Sequence, residues 1–433
     1  MSSFLRLPKR LGELFKEIQK CSLPSKSLLS EEEQYIPPYF SEDVETCETV
    51  ENGKGGTEVV DVEIDVEGNV KFDAFLDGIQ RTVLWRRVTL NNGAIVPIHI
   101  AHICAGIFLR GSDGRLSLEP EFIGSRLLLL GPFEGLKRAG VNIETFDKIE
   151  SEIILDVDEK TFAFPSNFNE WIICDTTFRG TEKDRVENVV GALIEKNLFN
   201  ESLVRSRAQS RVATLRQRLE MAVLAKFRER FPDKWILVDG PLYFLDKWRK
   251  PFYRALGHNA EFGDENSLES WVLKNAVGLI KTHKLRPKNP EQIINLNENQ
   301  RSVVKRITKE VDIKGQGYAF DEDGSYAGAH FTWYTRLRTP RQQPYGLMGL
   351  VRLDIHKSTL GIKIVDALNN ERFEEFRPQI DAITKAVWRE RWPAIREGND
   401  YYNASEPFPI YQLEKVLGAS ILPRRFLASF FDM

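Results

Sequence analysis

The chain has 433 residues, 42% hydrophobic and 28% charged, which is the balance of a folded globular protein and excludes disorder as its main state. Lys+Arg 60 against Asp+Glu 63 leaves a net charge of −3, so any nucleic-acid contact must come from local clustering of cations. Cys21, Cys47, Cys104 and Cys174 lie far apart with no CxxC, which argues against a zinc site or disulfide scaffold and for a reducing cytoplasm.

Residues 5–20 read as an amphipathic helix with Leu5, Leu11, Leu14, Phe15 and Ile18 on one stripe, packed on its own domain or on a partner. The same segment carries acids and no apolar h-region, so it does not read as a secretory signal. Residues 31–67 are acidic and rich in Ser, Thr and Gly, and complete an amino-terminal unit, 1–67, of helix plus linker. A domain over 68–433 follows. GNVKFDAFLDG (68–78) alternates apolar and polar residues as a strand does. TVLWRRVTL (82–90) and AIVPIHIAHICAGIFLR (94–110) flank Asn91-Asn92-Gly93 as a hairpin, giving three antiparallel strands. The mixed region 115–200 holds a strand at 171–178 and a helix at 184–198. A helix over 205–231 carries eight cations against Glu220 and Glu229 and leads into the strand KWILVDGPLYF (234–244). A helix near 267–275, strands in 275–284, 330–338 and 345–356, and helices over 372–391 and 410–420 complete the pattern, which is α/β. No apolar run reaches ~18 residues, so no membrane span is expected.

Several chemistries are excluded by missing motifs. GxxxxGK[ST], GxGxxG, GxSxG and HExxH are absent, and GPFEGLK (131–137) has the wrong spacing for a phosphate loop. Any ATP-driven step therefore needs a separate motor. His99 and His102 are three apart, on opposite faces of a strand, so they do not form a metal pair. His102 and Cys104 share a face but lack an identifiable orienting group for nucleophilic work.

The acids are more informative. FLDG and ILVDG place Asp77 and Asp239 before a glycine at the carboxyl end of apolar strands, where two carboxylates can share a divalent cation. At 100° per residue, Val212, Leu215, Leu219, Val223, Leu224, Phe227 and Phe231 cover one arc of the long helix, and Glu220 falls inside it. A buried acid is costly unless paired or metal-bound; a salt bridge to a core-edge arginine is the plain alternative. The order strand–Asp, hairpins, helix–Glu, strand–Asp is the ribonuclease-H-like arrangement, in which three acids hold two metal ions for phosphodiester hydrolysis. Arg352 and Asp354, two apart on one strand, form either an internal ion pair or a phosphate or metal contact.

FLDGIQRT, LRQRLEMAVLAKF running into WILVDGPL, AVGLIKTHK and FPIYQLEKVLGA together resemble the NurA nucleases over roughly residues 68–420. That resemblance implies a ribonuclease-H-like mixed sheet flanked by helices, with an amino-terminal helix and a helical insertion. It also implies a DNA nuclease that works as a homodimer with a HerA-type hexameric ATPase, in end resection or in defence against foreign DNA. Carried over by position, the metal-binding acids are Asp77, Glu220 and Asp239, holding two Mn²⁺ or Mg²⁺ ions. Ile79 stands where the family has Ser after Asp-Gly, and Phe408-Pro409 where it has Tyr-Pro with a downstream His. Glu414 is then a substitute for the fourth catalytic position; Lys281, at the end of AVGLIK, either faces the scissile phosphate or is a solvated strand-end lysine.

DNA would be held by its backbone through Arg211, Arg216 and Arg218 and through Arg336, Arg338 and Arg341, with Trp333 and Tyr334 nearby to stack single-stranded bases. The altered late motif leaves a second reading, a non-catalytic adaptor that binds DNA and scaffolds the ATPase. A third is another ribonuclease-H-like enzyme, acting on RNA or in strand transfer.

Overall fold

In the computed structural model the alternation read across 68–90 becomes one strand, β1, from Ala74 to Thr89. The residues described are 9–24, 46–51, 57–63, 70–91, 93–141, 154–155, 158–166, 170–177, 200–242, 246–256, 265–281, 287, 289–309, 330–338, 347–362, 370–392 and 405–429. β1 pairs antiparallel with β2 (Ile95–Arg110), from Ala74 opposite Leu109 to Thr89 opposite Ile95. The third antiparallel strand is β3 (Gly124–Gly131), from the region the sequence leaves mixed. The expected break at Asp77-Gly78 does not occur. Gly78 sits opposite Ala105 and Ile79 opposite Cys104, so the ladder continues through the glycine.

β4 (Ile236–Asp239) lies parallel to β1, and β5 (Ala276–Ile280) lies parallel to β4. Both are short, continuous apolar runs, as befits strands covered on both faces. β6 (His330–Arg336) and β7 (Leu350–His356) extend the sheet antiparallel beyond β5. The central order is therefore β3-β2-β1-β4-β5-β7-β6, a mixed sheet with helices on both faces.

Strand alternation divides the apolar residues into layers. Ala74, Leu76, Ile103, Ile236 and Val238 face a layer with Val212, Leu215, Leu219, Val223 and Phe227 of the long helix. On the opposite face Phe75, Leu237, Val277 and Leu279 join a layer that includes Ile380 and Ile383 of helix α3 (Arg377–Arg389) and Ile410, Leu413 and Leu417. A third layer, at the far end of the β1–β2 hairpin, is closed by helix α1 (Lys9–Lys20). There Leu11, Leu14, Phe15 and Ile18 are buried, and the Phe15 ring meets Trp85 edge-on with centroids 4.7 Å apart. The amphipathic stripe is thus spent on the chain's own fold; Leu5 lies outside the described residues, as does the helix expected at 184–198.

The segment read as a linker contributes strands. Residues 46–49 pair with 305–309 at one sheet end, and 59–61 pair with 300–302. Between them Glu51 is fully buried, and both its oxygens accept from Arg301, at 2.6 and 2.8 Å. Arg301 also reaches Asp381 at 2.7 Å. Composition signals the acids but not their partner, which lies 250 residues away. Among the described residues Cys21, Cys104 and Cys174 are free thiols, and no helix is long and apolar enough to cross a membrane.

Glu51→Ala leaves a buried guanidinium one carboxylate short, and removal of one partner from such a pair costs about 3–5 kcal/mol. Chemical denaturation should show a loss of that size, whereas an Ala substitution in a true linker would be nearly neutral.

Candidate active site

The long helix, α2 (Glu201–Arg230), starts at an Asn200 cap whose side chain accepts from the Leu203 amide. It crosses the β1–β2–β3 face closely, because two glycines leave room for its side chains. A Cβ on Gly124 would stand 2.7 Å from Leu219. A Cβ on Gly78 would stand 2.1 Å from Glu220 Oε1. The Glu220 carboxylate therefore occupies the space of the absent Gly78 side chain, one residue from Asp77. Arg216, one turn back on α2, donates both to Glu220 Oε1 (2.6 Å) and to the Gly78 carbonyl (2.7 Å).

Asp77 is buried on β1, with its Oδ1 accepting from the Gly78 amide at 2.6 Å. Asp239 ends β4, which sits beside β1, with Val238 opposite Leu76. Gly240 then turns with φ +116, and its carbonyl passes over Gly278, where a Cβ would stand 2.6 Å away. So one of the two Asp-Gly pairs is a strand end and the other lies mid-strand, yet both present their carboxylates to the same place. Lys281, just past β5, donates to Asp239 Oδ2 at 2.9 Å and to Glu406 Oε1 at 2.8 Å.

The charges feel one another. Burial first, then the negative charges of Asp239 and Glu220, hold Asp77 well above the usual carboxylate range, against the opposing pull of Lys281 and Arg216. Burial pushes Glu220 up to about 7, with Arg216 pulling it down and Asp239 pushing it up. Glu406 is likewise raised to about 7 by burial, against Lys281 and with Asp239 and Glu414 adding to the rise. Among the described residues Arg216 and Lys281 hydrogen-bond to these acids. Among the described residues no three Asp, Glu, His or Cys groups are gathered closely enough to hold a metal ion as they stand. The donor chemistry, all hard carboxylate oxygen, suits Mg²⁺ or Mn²⁺.

Glu406 is the residue the sequence reading missed. It precedes the Pro407 cap of helix α4 (Phe408–Ser420), the proline holding the segment extended at φ −65, ψ 141. Its only local signal is an acid beside Pro-Phe-Pro. Glu414, the expected fourth residue, stands half-buried on α4; its charge reaches Glu406, but the carboxylate at the Lys281 ammonium is that of Glu406.

Most of the arginines expected to grip DNA are committed inside the fold. Arg336 is buried and donates to the carbonyls of Leu296 and Met348. Arg218 is buried against Thr161 and the Phe162 ring. Arg338 holds the carbonyls of Glu406 and Arg391, and Arg216 holds Glu220. Arg211 is half-buried on α2, and Arg341 lies outside the described residues. Trp333 and Tyr334 are core residues, so they offer no stacking platform; the Trp333 indole donates to Thr384. Arg218 and Arg228 lie outside the apolar arc of α2, yet both are buried, because residues 158–162 and 265–273 pack over that side of the helix as well.

The remaining candidates are structural. Arg352 and Asp354 make an internal ion pair at 3.1 Å, with Thr332 donating to Asp354. His102 accepts from the Leu422 amide at Nδ1 and contacts Ser125 through Nε2, while burial pushes the Cys104 thiol up to about 12, far from a nucleophilic thiolate. No known protein-family model matches this chain, and no curated protein is detectably similar to it.

Two outcomes follow from this geometry. Gly78→Ala should push the Glu220 carboxylate aside and cost about 1–3 kcal/mol, read as a lowered unfolding midpoint. Glu220 and Glu406 titrate near 7 in the fold against an ordinary value of 4.5. Their contribution to stability is thus full below pH 4.5 and is lost as pH rises through about 7. Unfolding midpoints measured from pH 5 to 8 without divalent ions should fall with pH in the wild type, and fall less steeply in Glu220→Gln.

Proposed function

We propose that the chain is a divalent-metal-dependent deoxyribonuclease, built on a ribonuclease-H-like sheet and acting on DNA ends. The observation that carries this reading is that Asp77, Glu220 and Asp239, delivered by β1, α2 and β4, lie within electrostatic reach of one another, Asp77 and Glu220 buried and Asp239 half-buried. Burial alone makes such a group of acids costly, and a divalent cation is the ligand that offsets the cost. The strand order β3-β2-β1-β4-β5, with a three-stranded antiparallel meander followed by two strands parallel to β1, supports the fold assignment.

Asp77, Glu220 and Asp239 would hold Mg²⁺ or Mn²⁺. Bound there, such ions would supply a deprotonated water and neutralise charge on the scissile phosphate. Lys281 brings positive charge to the same point, and Arg216 keeps Glu220 oriented over Gly78. Glu414 adds negative field through Glu406. Four of the six nominated arginines, Arg216, Arg218, Arg336 and Arg338, bond inside the fold, which weakens their assignment as contacts to the DNA backbone. The chain has no phosphate loop, so strand separation on duplex DNA calls for a partner motor. The NurA resemblance suggests a HerA-like hexameric ATPase bound by a homodimer in the cytoplasm, working in end resection or anti-phage defence.

One observation favours a second reading, the non-catalytic adaptor. Lys281 and Arg216 already neutralise Asp239 and Glu220, as a site that has exchanged metal for internal ion pairs would do. Cleavage of end-labelled single- and double-stranded DNA separates the two. Metal-dependent cleavage should vanish in EDTA and drop at least about a hundredfold in Asp239→Ala. Absence of cleavage in Mn²⁺ and Mg²⁺, with and without the ATPase, supports the adaptor; cleavage that survives Asp239→Ala places the chemistry elsewhere.

A further inference from the structure

Lys281 is almost fully buried, and its ammonium is shared between Asp239 at 2.9 Å and Glu406 at 2.8 Å. The two acceptors differ in kind. Asp239 ends β4 before the Gly240 turn, beside the other acids, whereas Glu406 belongs to a segment tied down from several directions. Ser405 Oγ accepts from the Gly349 amide at 3.1 Å, and the Glu406 carbonyl accepts from Arg338 at 3.0 Å. The Phe408 amide donates to the Glu390 carbonyl at 2.9 Å, and the Glu390 carboxylate is gripped by both Arg110 terminal nitrogens, at 2.7 and 2.6 Å. Pro407 fixes the backbone between these anchors. Glu406 is thus a rigid acceptor.

A cation entering beside Asp239 competes with the ammonium for the same carboxylate and repels it. In a buried setting, an ammonium that loses its carboxylate pays the full cost of an unpaired charge unless another acid already touches it. We propose that Glu406 is a positioning residue that takes over the Lys281 ammonium when Asp239 binds a divalent cation. The pair of contacts is then a two-position rest for Lys281. Glu406 sets the metal affinity without ligating the metal. This inference rests on the reading of Asp77, Glu220 and Asp239 as the metal ligands.

The test is Mn²⁺ binding to the full chain without nucleic acid, followed by the electron paramagnetic resonance of free Mn²⁺, with thermal unfolding run alongside. Glu406→Gln should bind Mn²⁺ about tenfold more weakly, the equivalent of one hydrogen bond to a buried ion. Adding Lys281→Met to that variant removes the competitor and should restore binding to the level of Lys281→Met alone. Unchanged binding in Glu406→Gln overturns the proposal. So does weakened binding that Lys281→Met fails to rescue, which would make Glu406 itself a ligand. Should Glu406→Gln fail to fold, Lys281→Met by itself decides: binding at least as tight as wild type is expected, and weaker binding overturns the inference. A wild-type chain that binds no Mn²⁺ defeats the metal reading as a whole, and is distinguishable because Glu406→Gln then has nothing to weaken.

Discussion

The structure is organised around the contact of the Glu220 carboxylate with the empty face of Gly78. Here the helix brings an acid down onto the sheet where the strand beneath has no side chain, and a buried acid is costly unless a partner offsets its charge. Gly78 supplies the bare strand, and Arg216, bridging Glu220 to the Gly78 carbonyl, supplies the partner. Once α2 is seated in that register, its apolar residues fall on the β1–β2–β3 face, with Leu219 on Gly124. The close approach of helix to sheet thus serves packing and chemistry through one geometric constraint.

The opposite face is assembled with equal economy. α4 lays Leu417 over Gly106, directly across the ladder from Asp77, and the segment before α4 delivers Glu406 to Lys281. Carboxylates therefore arrive from both layers, so the site spans the sheet edge where β4 stops and β1 continues. Burial together with mutual repulsion explains why Asp77 and Glu220 are held protonated to higher pH than free acids.

Arginine does structural work throughout. Arg126, Arg228, Arg301 and Arg336 are buried, and their planar forks satisfy carbonyls at helix and strand ends as well as carboxylates. The guanidinium suits this role because it presents several donors in a fixed plane and loses little freedom per bond formed. A helix rich in arginine looks like a solvated or nucleic-acid-binding surface until its second side is seen to be covered too. That is why Arg218 reads from sequence as a DNA contact, and why Arg336, flanked by aromatic residues, resembles one.

Local patterns carried much of the fold. The alternation in 94–110, the apolar runs ending at Asp239 and Ile280, the arc of α2 with Glu220 inside it, and the stripe of α1 all depend on periodicities that a short window contains. These sufficed to nominate Asp77, Glu220, Asp239 and Lys281, which the tertiary structure draws together. Other features depend on residues far apart in sequence. Glu51 finds Arg301, Glu406 finds Lys281, and Asp77-Gly78 stays within a strand because β2 continues beside it. Periodicity reports which face a residue occupies, whereas the identity of a charge's partner is settled only when distant elements pack. By itself the sequence determined that Asp239 ends its strand and that Glu220 lies on the apolar arc of its helix; only the tertiary structure decided that Asp77 stays mid-strand and which cations meet the acids, because both depend on packing between distant elements and not on spacing along the chain.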